Sequence, residues 1–229
     1  MFRILTLNNI AEIGLRRLPA KHFEAATALK NPDAIILRSQ NMHDREIPAS
    51  VAAIARAGAG TNNIPIEAMS ARGVPVFNTP GANANAVKEL AIAGLLIAAR
   101  NLCDAREYVK GLTETGEALN KAVEVGKKQF VGFELPDKTL GVVGLGAIGV
   151  EVANAALALG MKVIGFDPKI TVRNAWQLSA GVEHAETLEE LFQRSNAITL
   201  HVPLVDDTKG LVNAKRLALL QKGAGLVNF

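Results

Sequence analysis

The chain has one cysteine, one tryptophan, one tyrosine and only 4% aromatic residues among 229. A single Cys103 cannot form an intramolecular disulfide, and it fits a reducing, cytoplasmic setting; its simplest reading is a buried small hydrophobe. So few aromatics leave little to stack bases on. The basic residues are scattered, with Lys127-Lys128 and Arg16-Arg17 the only like pairs, and the net charge is +3. Together these features exclude a nucleic-acid surface of ordinary type. No apolar run approaches the roughly 18 residues of a membrane span, and the opening Met1-Phe2-Arg3-Ile4-Leu5-Thr6-Leu7 reads as a strand rather than a signal peptide. There is no Cys/His cluster, nucleophile-elbow serine or phosphate-loop lysine, so no metal is expected. His22, His43 and His184 have no metal spacing and read as surface or packing residues.

What the chain does have is a hydrophobic content of 49%, enough for sizeable cores, and one highly informative stretch. Leu140-Gly141-Val142-Val143 reads as a buried strand running into Gly144-Leu145-Gly146-Ala147-Ile148-Gly149. A helix follows from Ile148 to Leu159, closed by Gly160, and then a strand from Met161 to Asp167. Three glycines at this spacing let a backbone turn approach a pyrophosphate. An acid at the end of the second strand can hold the ribose hydroxyls and repel a 2′-phosphate. Gly144, Gly146, Ala147, Ile148, Gly149 and Asp167 are therefore assigned to NAD. Lys169 lies close by but follows Pro168, and it does not replace the acid. The competing reading, a mere tight turn, lacks any account of the whole βαβ frame.

Around this unit the chain reads as alternating strands and helices. Strands are expected over 3–7, 34–38, 52–56 and 74–77, with a short helix over 66–71, which together suggest a flavodoxin-like domain. Val87 to Ala99 is apolar nearly all round and reads as a helix buried between layers. Residues 100–135 are mostly helix-compatible, and the domain crossing is placed near residue 98. Beyond Asp167, Thr187 with Glu190 forms a capping box. Asn196 to Pro203 is a strand stopped by the proline, Asn213 to Leu220 a capped helix, and Gly223 to Phe229 a further strand. The expected fold is α/β, with two parallel-sheet domains, 1–98 and 99–229, the second incomplete at four strands.

Several segments resemble the D-2-hydroxyacid dehydrogenase family. They are Arg38-Ser39-Gln40-Asn41-Met42-His43, Arg56 to Ile64 (Arg-Ala-Gly-Ala-Gly-Thr-Asn-Asn-Ile), Gly73 to Leu90 with its Asn-Thr-Pro-Gly core, Lys138 to Gly149, and Leu200-His201-Val202-Pro203-Leu204. Asn62 departs from the acid found there in many relatives. The resemblance implies a substrate-binding first domain, an NAD-binding second domain, a cleft that holds a small hydroxy acid, and a homodimer made through residues 100–135. Arg38-Ser39 and the Asn83 loop are most like members that oxidise 3-phosphoglycerate; members acting on glycerate, lactate or glyoxylate are the alternative, and a non-catalytic dinucleotide module is a further one.

By resemblance, Arg38 and Ser39 hold a phosphate, Ala59 and Gly60 meet the substrate carboxylate and the nicotinamide end, and His201, Val202, Pro203, Thr208 and Phe229 line the cofactor; the Asn83 amide is placed to bond a phosphate or carboxylate. Each has a plainer reading: Arg38 as a surface cation, Gly58-Ala59-Gly60 as an ordinary turn, Asn83 as a helix cap, Pro203 as a strand stop. His201 has no acidic neighbour in sequence and is not assigned to catalysis. The family's catalytic Arg, Glu and His are expected beyond Phe229, so no catalytic residue is assigned within the chain, which is expected to be inactive by itself.

Overall fold

The computed structural model describes residues 1–229, which divide into two compact units, Met1–Asn83 and Ala84–Phe229. In the first unit, strands β1 (Phe2–Thr6), β2 (Phe23–Ala26), β3 (Ala34–Leu37), β4 (Ala53–Arg56) and β5 (Val76–Phe77) alternate with short helices, α1 (Glu12–Leu15) before β2 and α2 (Ile66–Ala71) before β5. The strands form one sheet in the order β2-β1-β3-β4-β5, and every pairing is parallel. Parallel strands need covered faces, hence their near-continuous Ile, Leu and Val runs. Leu5, Ile35, Leu37, Ile54, Met42 and Met69 are buried in the resulting core.

The second unit opens with α3 (Ala84–Ala99), α4 (Leu102–Lys110) and α5 (Gly116–Gly126), then a 3-10 turn, Lys127–Phe130. It continues through β6 (Thr139–Val143), α6 (Ala147–Ala158), β7 (Lys162–Phe166), α7 (Val172–Gln177), β8 (Val182–His184), α8 (Leu188–Arg194), β9 (Ala197–Leu200), α9 (Ala214–Leu217) and β10 (Gly225–Asn228). The sheet order is β10-β9-β6-β7-β8, again parallel throughout. Alternation divides the strands between two cores. Leu140, Val142, Ala197 and Val227 face α3 and α6; Val143, Ile164 and Ile198 face Leu191 and Phe192 of α8. Each fully buried side chain of this size contributes roughly 1.5–3 kcal/mol.

Caps read from sequence are made. The Thr187 hydroxyl accepts the Glu190 N–H, and the Asn213 amide oxygen accepts that of Arg216. Glu190 reaches back to the Glu186 N–H, one residue before the cap itself.

The structure departs from the sequence reading in four places. Each sheet has five strands rather than four, because β2 and β8 are short edge strands with mixed polarity. The units meet at Asn83/Ala84 rather than near 98, because the whole of α3 packs with α6 and β10. That helix is not buried all round: Ala91, Leu95 and Ala99 are buried, while Leu90, Leu96 and Ile97 are exposed. Cys103 lies on the exposed face of α4 rather than in a core.

Candidate functional site

In each sheet the strand sequence reverses direction once. Going along the second sheet, β6, β7 and β8 run one way and β9 returns to the other side of β6. Such a switch point leaves a crevice at the carboxyl ends of the two strands, where open α/β sheets bind ligands. Gly144 follows β6 and His201 follows β9, so the sequence-assigned turn stands at that crevice.

The three glycines have separable reasons. Gly144 has φ +89, a left-handed conformation, and a Cβ there would sit 2.7 Å from the His201 carbonyl oxygen and 2.8 Å from Val202 Cγ1. A Cβ on Gly149 would fall 1.9 Å from the Gly144 carbonyl oxygen, so α6 meets the turn only because residue 149 has no side chain. Gly146 is different. Its φ of −73 suits any residue, and a Cβ there meets nothing within 4 Å. Neither conformation nor packing within the chain explains this glycine, and the space beside its backbone is open.

The electrostatics agree. Gly146 is the N-cap of a twelve-residue helix and offers no capping side chain. The N–H groups of Gly146, Ala147, Ile148 and Gly149 have no acceptor in the chain; the first helical bond runs from Val150 N–H to the Gly146 carbonyl. Four unsatisfied donors at the positive end of a helix form an anion site. These residues fit the pyrophosphate of a dinucleotide, with open space beside Gly146.

Asp167 lies just past β7. Its Oδ2 accepts the Leu145 N–H at 2.8 Å and its Oδ1 the Lys169 N–H at 2.9 Å. The carboxylate thus ties the glycine turn to the neighbouring strand. An ionised carboxylate has about four acceptor positions, so two remain for ribose hydroxyls.

His201 donates its backbone N–H to Val143 at 2.8 Å, closing β9 onto β6. Its ring Nε2 lies 2.9 Å from Oγ1 of the fully buried Thr199. Partial burial without a charged partner pushes its pKa down to about 4, so the ring is neutral near pH 7. That fits a packing and positioning role better than proton transfer.

Thr208 is occupied within its own loop: the hydroxyl accepts the Val205 N–H at 3.0 Å and bonds the Pro203 carbonyl. It shapes the segment that Pro203 begins. Phe229 lies against α3, its ring 3.1 Å from where a Gly94 Cβ would stand.

The first unit carries the other candidate residues, also at a switch point. β1 and β2 run one way and β3 lies on the other side of β1. Arg38 and Ser39 follow β3, and Gly58, Ala59 and Gly60 follow β4. The Arg38 guanidinium and the Ser39 hydroxyl make no hydrogen bond, and the N–H groups of Ala59 and Gly60 have no acceptor. Asn83 makes no side-chain hydrogen bond either, so the proposed cap is not formed.

Four residues that sequence reasoning missed hold this edge in place. The Asn8 Oδ1 accepts three successive N–H groups, those of Arg38, Ser39 and Gln40, at 3.3, 2.9 and 2.8 Å. Asn63 donates to the carbonyls of Gln40 and Arg38, and Asn78 to that of Ala59 at 2.6 Å. Arg56 donates to the Arg38 carbonyl at 2.9 Å, and its Nη1 lies 2.8 Å from where a Gly60 Cβ would be. The histidines gather no metal site: no cluster of three His, Cys, Asp or Glu side chains is placed to hold an ion.

Comparison with known proteins agrees with this geometry. Residues 92–229 match the family model of the D-isomer specific 2-hydroxyacid dehydrogenase, NAD binding domain. The chain is 38% identical over 208 residues to D-3-phosphoglycerate dehydrogenase of Methanocaldococcus jannaschii, covering 90% of this chain and 37% of that protein. It is 36% identical over 216 residues to hydroxypyruvate reductase of Thermotoga maritima, covering 91% and 65%. Among solved structures, NAD+-bound 3-phosphoglycerate dehydrogenase of Entamoeba histolytica superposes with a TM-score of 0.70 at 30% identity, over 99% of this chain and 71% of that one. The chain therefore spans well under half of the first of these relatives and about two thirds of the second.

Proposed function

Because the chain belongs to the D-isomer specific 2-hydroxyacid dehydrogenases, we propose that its protein oxidises a D-2-hydroxy acid with NAD, and that the acid is 3-phosphoglycerate, leaving as 3-phosphohydroxypyruvate in the first step of serine synthesis. NAD, when held by the glycine turn, would supply the acceptor for the hydride on the hydroxyl-bearing carbon, while the hydroxyl proton would pass to a base. The observation that carries the substrate reading is the pair of free anion-binding features on the first unit. Arg38 and Ser39 end one strand, and the unpaired N–H groups of Ala59 and Gly60 follow the next. A substrate with a carboxylate at one end and a phosphate at the other supplies two anions for them. Asn83, whose amide is likewise unengaged, is a third contact. The names of the archaeal and amoebic relatives favour this acid, and that of the Thermotoga relative favours the unphosphorylated alternative, hydroxypyruvate and glycerate.

Arg38→Ala separates the two. Calorimetric titration in the presence of NADH should show 3-phosphoglycerate binding weakened at least about tenfold, the scale of one lost charge-assisted hydrogen bond, with D-glycerate little affected. Equal losses for both acids would mean that Arg38 serves the carboxylate or the fold.

Two further assignments belong to this reading. With its pKa lowered to about 4 and its ring against Thr199, His201 is a weak proton acceptor; the chain alone is therefore expected to bind cofactor without turning over a hydroxy acid. The exposed Leu102, Val109, Val123 and Val125 of α4 and α5 are the face through which it forms a homodimer, whereas Tyr108 is spent internally, its hydroxyl on the Ala122 carbonyl and its ring beside Phe130. No helix is long and apolar enough to cross a membrane, and the accessible, unpaired Cys103 suits the cytoplasm.

A further inference from the structure

Beside Asp167 stands a cation that the cofactor reading does not use. The Lys169 N–H bonds Asp167 Oδ1, so the root of this side chain is within hydrogen-bond reach of the carboxylate that would meet the adenosine ribose. A lysine on a four-carbon stem in that place is ordinarily free to turn toward a 2′-phosphate and offset the repulsion from the acid. Here it is paired instead with a second acid. Lys169 Nζ lies 3.1 Å from Oδ2 of Asp207, on the loop after β9 that Thr208 folds.

We propose that Asp207 is a specificity-determining residue: by engaging Lys169 it withholds that cation from the ribose 2′-position, and so keeps the site selective for the dinucleotide that has no 2′-phosphate. The inference rests on the NAD reading of the glycine turn and extends it to a second acid, remote in sequence from Asp167.

The physics suits a device of this kind. Both partners are largely exposed, at 81% and 76%, so the pair is weak and opens without a folding penalty. The selectivity it supplies is therefore bounded by the small free energy of the pair, which NADPH has to open to recruit the lysine. Asp206, Lys209 and Arg173 are the other charged groups of these two segments, and none of them forms an ion pair. Arg173 lies on α7, beyond the turn that holds Lys169.

The test is a double-mutant cycle read by NADH and NADPH titration of the 229-residue chain, followed by calorimetry, with thermal melts of every variant. Asp207→Asn should tighten NADPH about threefold, within the scale of an exposed pair, and leave NADH unchanged. Lys169→Gln alone should change NADPH little, because its charge is already engaged. Lys169→Gln/Asp207→Asn should return NADPH affinity to that of the unmodified chain. An unchanged NADPH affinity in Asp207→Asn would overturn the proposal. So would a gain that persists in the double variant, which would show that Asp207 acts by direct repulsion or that Arg173 or Lys209 supplies the cation. Failure of the unmodified chain to bind NADH would instead remove the underlying cofactor reading, a result distinct from either.

Discussion

Two glycine turns end two parallel strands, and they solve the same problem by opposite means. The turn after β6 is bare: four N–H groups of the α6 terminus have no acceptor in the chain, and the space beside Gly146 is open. The turn after β4 is dressed: Arg56 lies across Gly58 and Gly60, and Asn78 holds the Ala59 carbonyl. A backbone site of the first kind recognises any phosphate-like anion and leaves discrimination to its rim, where Asp167 and Lys169 stand. A site of the second kind takes its discrimination from the side chains that cover it.

The sharpest way to break this comparison is to add one methyl group to each turn. Gly149→Ala forces a Cβ against the Gly144 carbonyl at 1.9 Å, and an overpacked contact of this sort costs at least about 1–3 kcal/mol. In Gly60→Ala the methyl meets the end of the flexible Arg56 side chain, which can swing away. Thermal melts should show a fall of several degrees for Gly149→Ala and a much smaller one for Gly60→Ala. Equal losses would mean that the dressed turn is as rigid as the bare one.

Gly146→Ala sharpens the contrast from the other side. Its methyl group meets nothing in the chain, so the melting temperature should hold while NADH affinity falls about tenfold, or 1.4 kcal/mol. A fall in stability with intact binding would reverse the assignment of Gly146 to the ligand.

The rim is tested by Asp167→Asn, which keeps an acceptor for the Leu145 N–H but removes the charge. NADH should weaken by about fivefold, somewhat under 1.4 kcal/mol, and NADPH should weaken less or improve, so that the preference narrows. A preference that stays the same would place cofactor choice elsewhere on the rim.

The smallest effect concerns His201, behind the bare turn. Its pKa is lowered from 6.5 to about 4 by burial, so the unfolded chain binds the proton more readily. Stability should therefore be full above pH 6.5 and decline as pH falls toward 4. After allowance for its partial exposure the contribution is about 1 kcal/mol. In His201→Asn the slope of melting temperature over that window should flatten; an unchanged slope would mean that other groups carry it.

How much of this was legible beforehand follows from the range of each interaction. The glycine turn and Asp167 could be read directly, because one βαβ unit fixes their spacing within a short stretch of chain. The strands facing two cores were equally plain from their apolar runs. β2 (Phe-Glu-Ala-Ala) and β8 (Val-Glu-His) were not, since an edge strand is paired on one side only and tolerates polar residues. The apolar surface of α3 showed a need for cover without showing which side receives it, and Leu90, Leu96 and Ile97 remain exposed. Asn8, Asn63, Asn78 and Arg56 were invisible for another reason. Their bonds join loops 18 to 32 residues apart, and such links leave no periodic trace. The Lys169–Asp207 pair spans 38 residues and is silent in sequence on the same account.

The three N–H groups that converge on Asn8 have one more consequence. A cluster of this kind invites a carboxylate, and Asp would tolerate the left-handed backbone at this position (φ 66) nearly as well as Asn does. An amide oxygen satisfies the same donors while carrying no net charge. The loop is thereby fixed without an internal counter-ion, and the positive field of Arg38 remains whole for a guest arriving from solution.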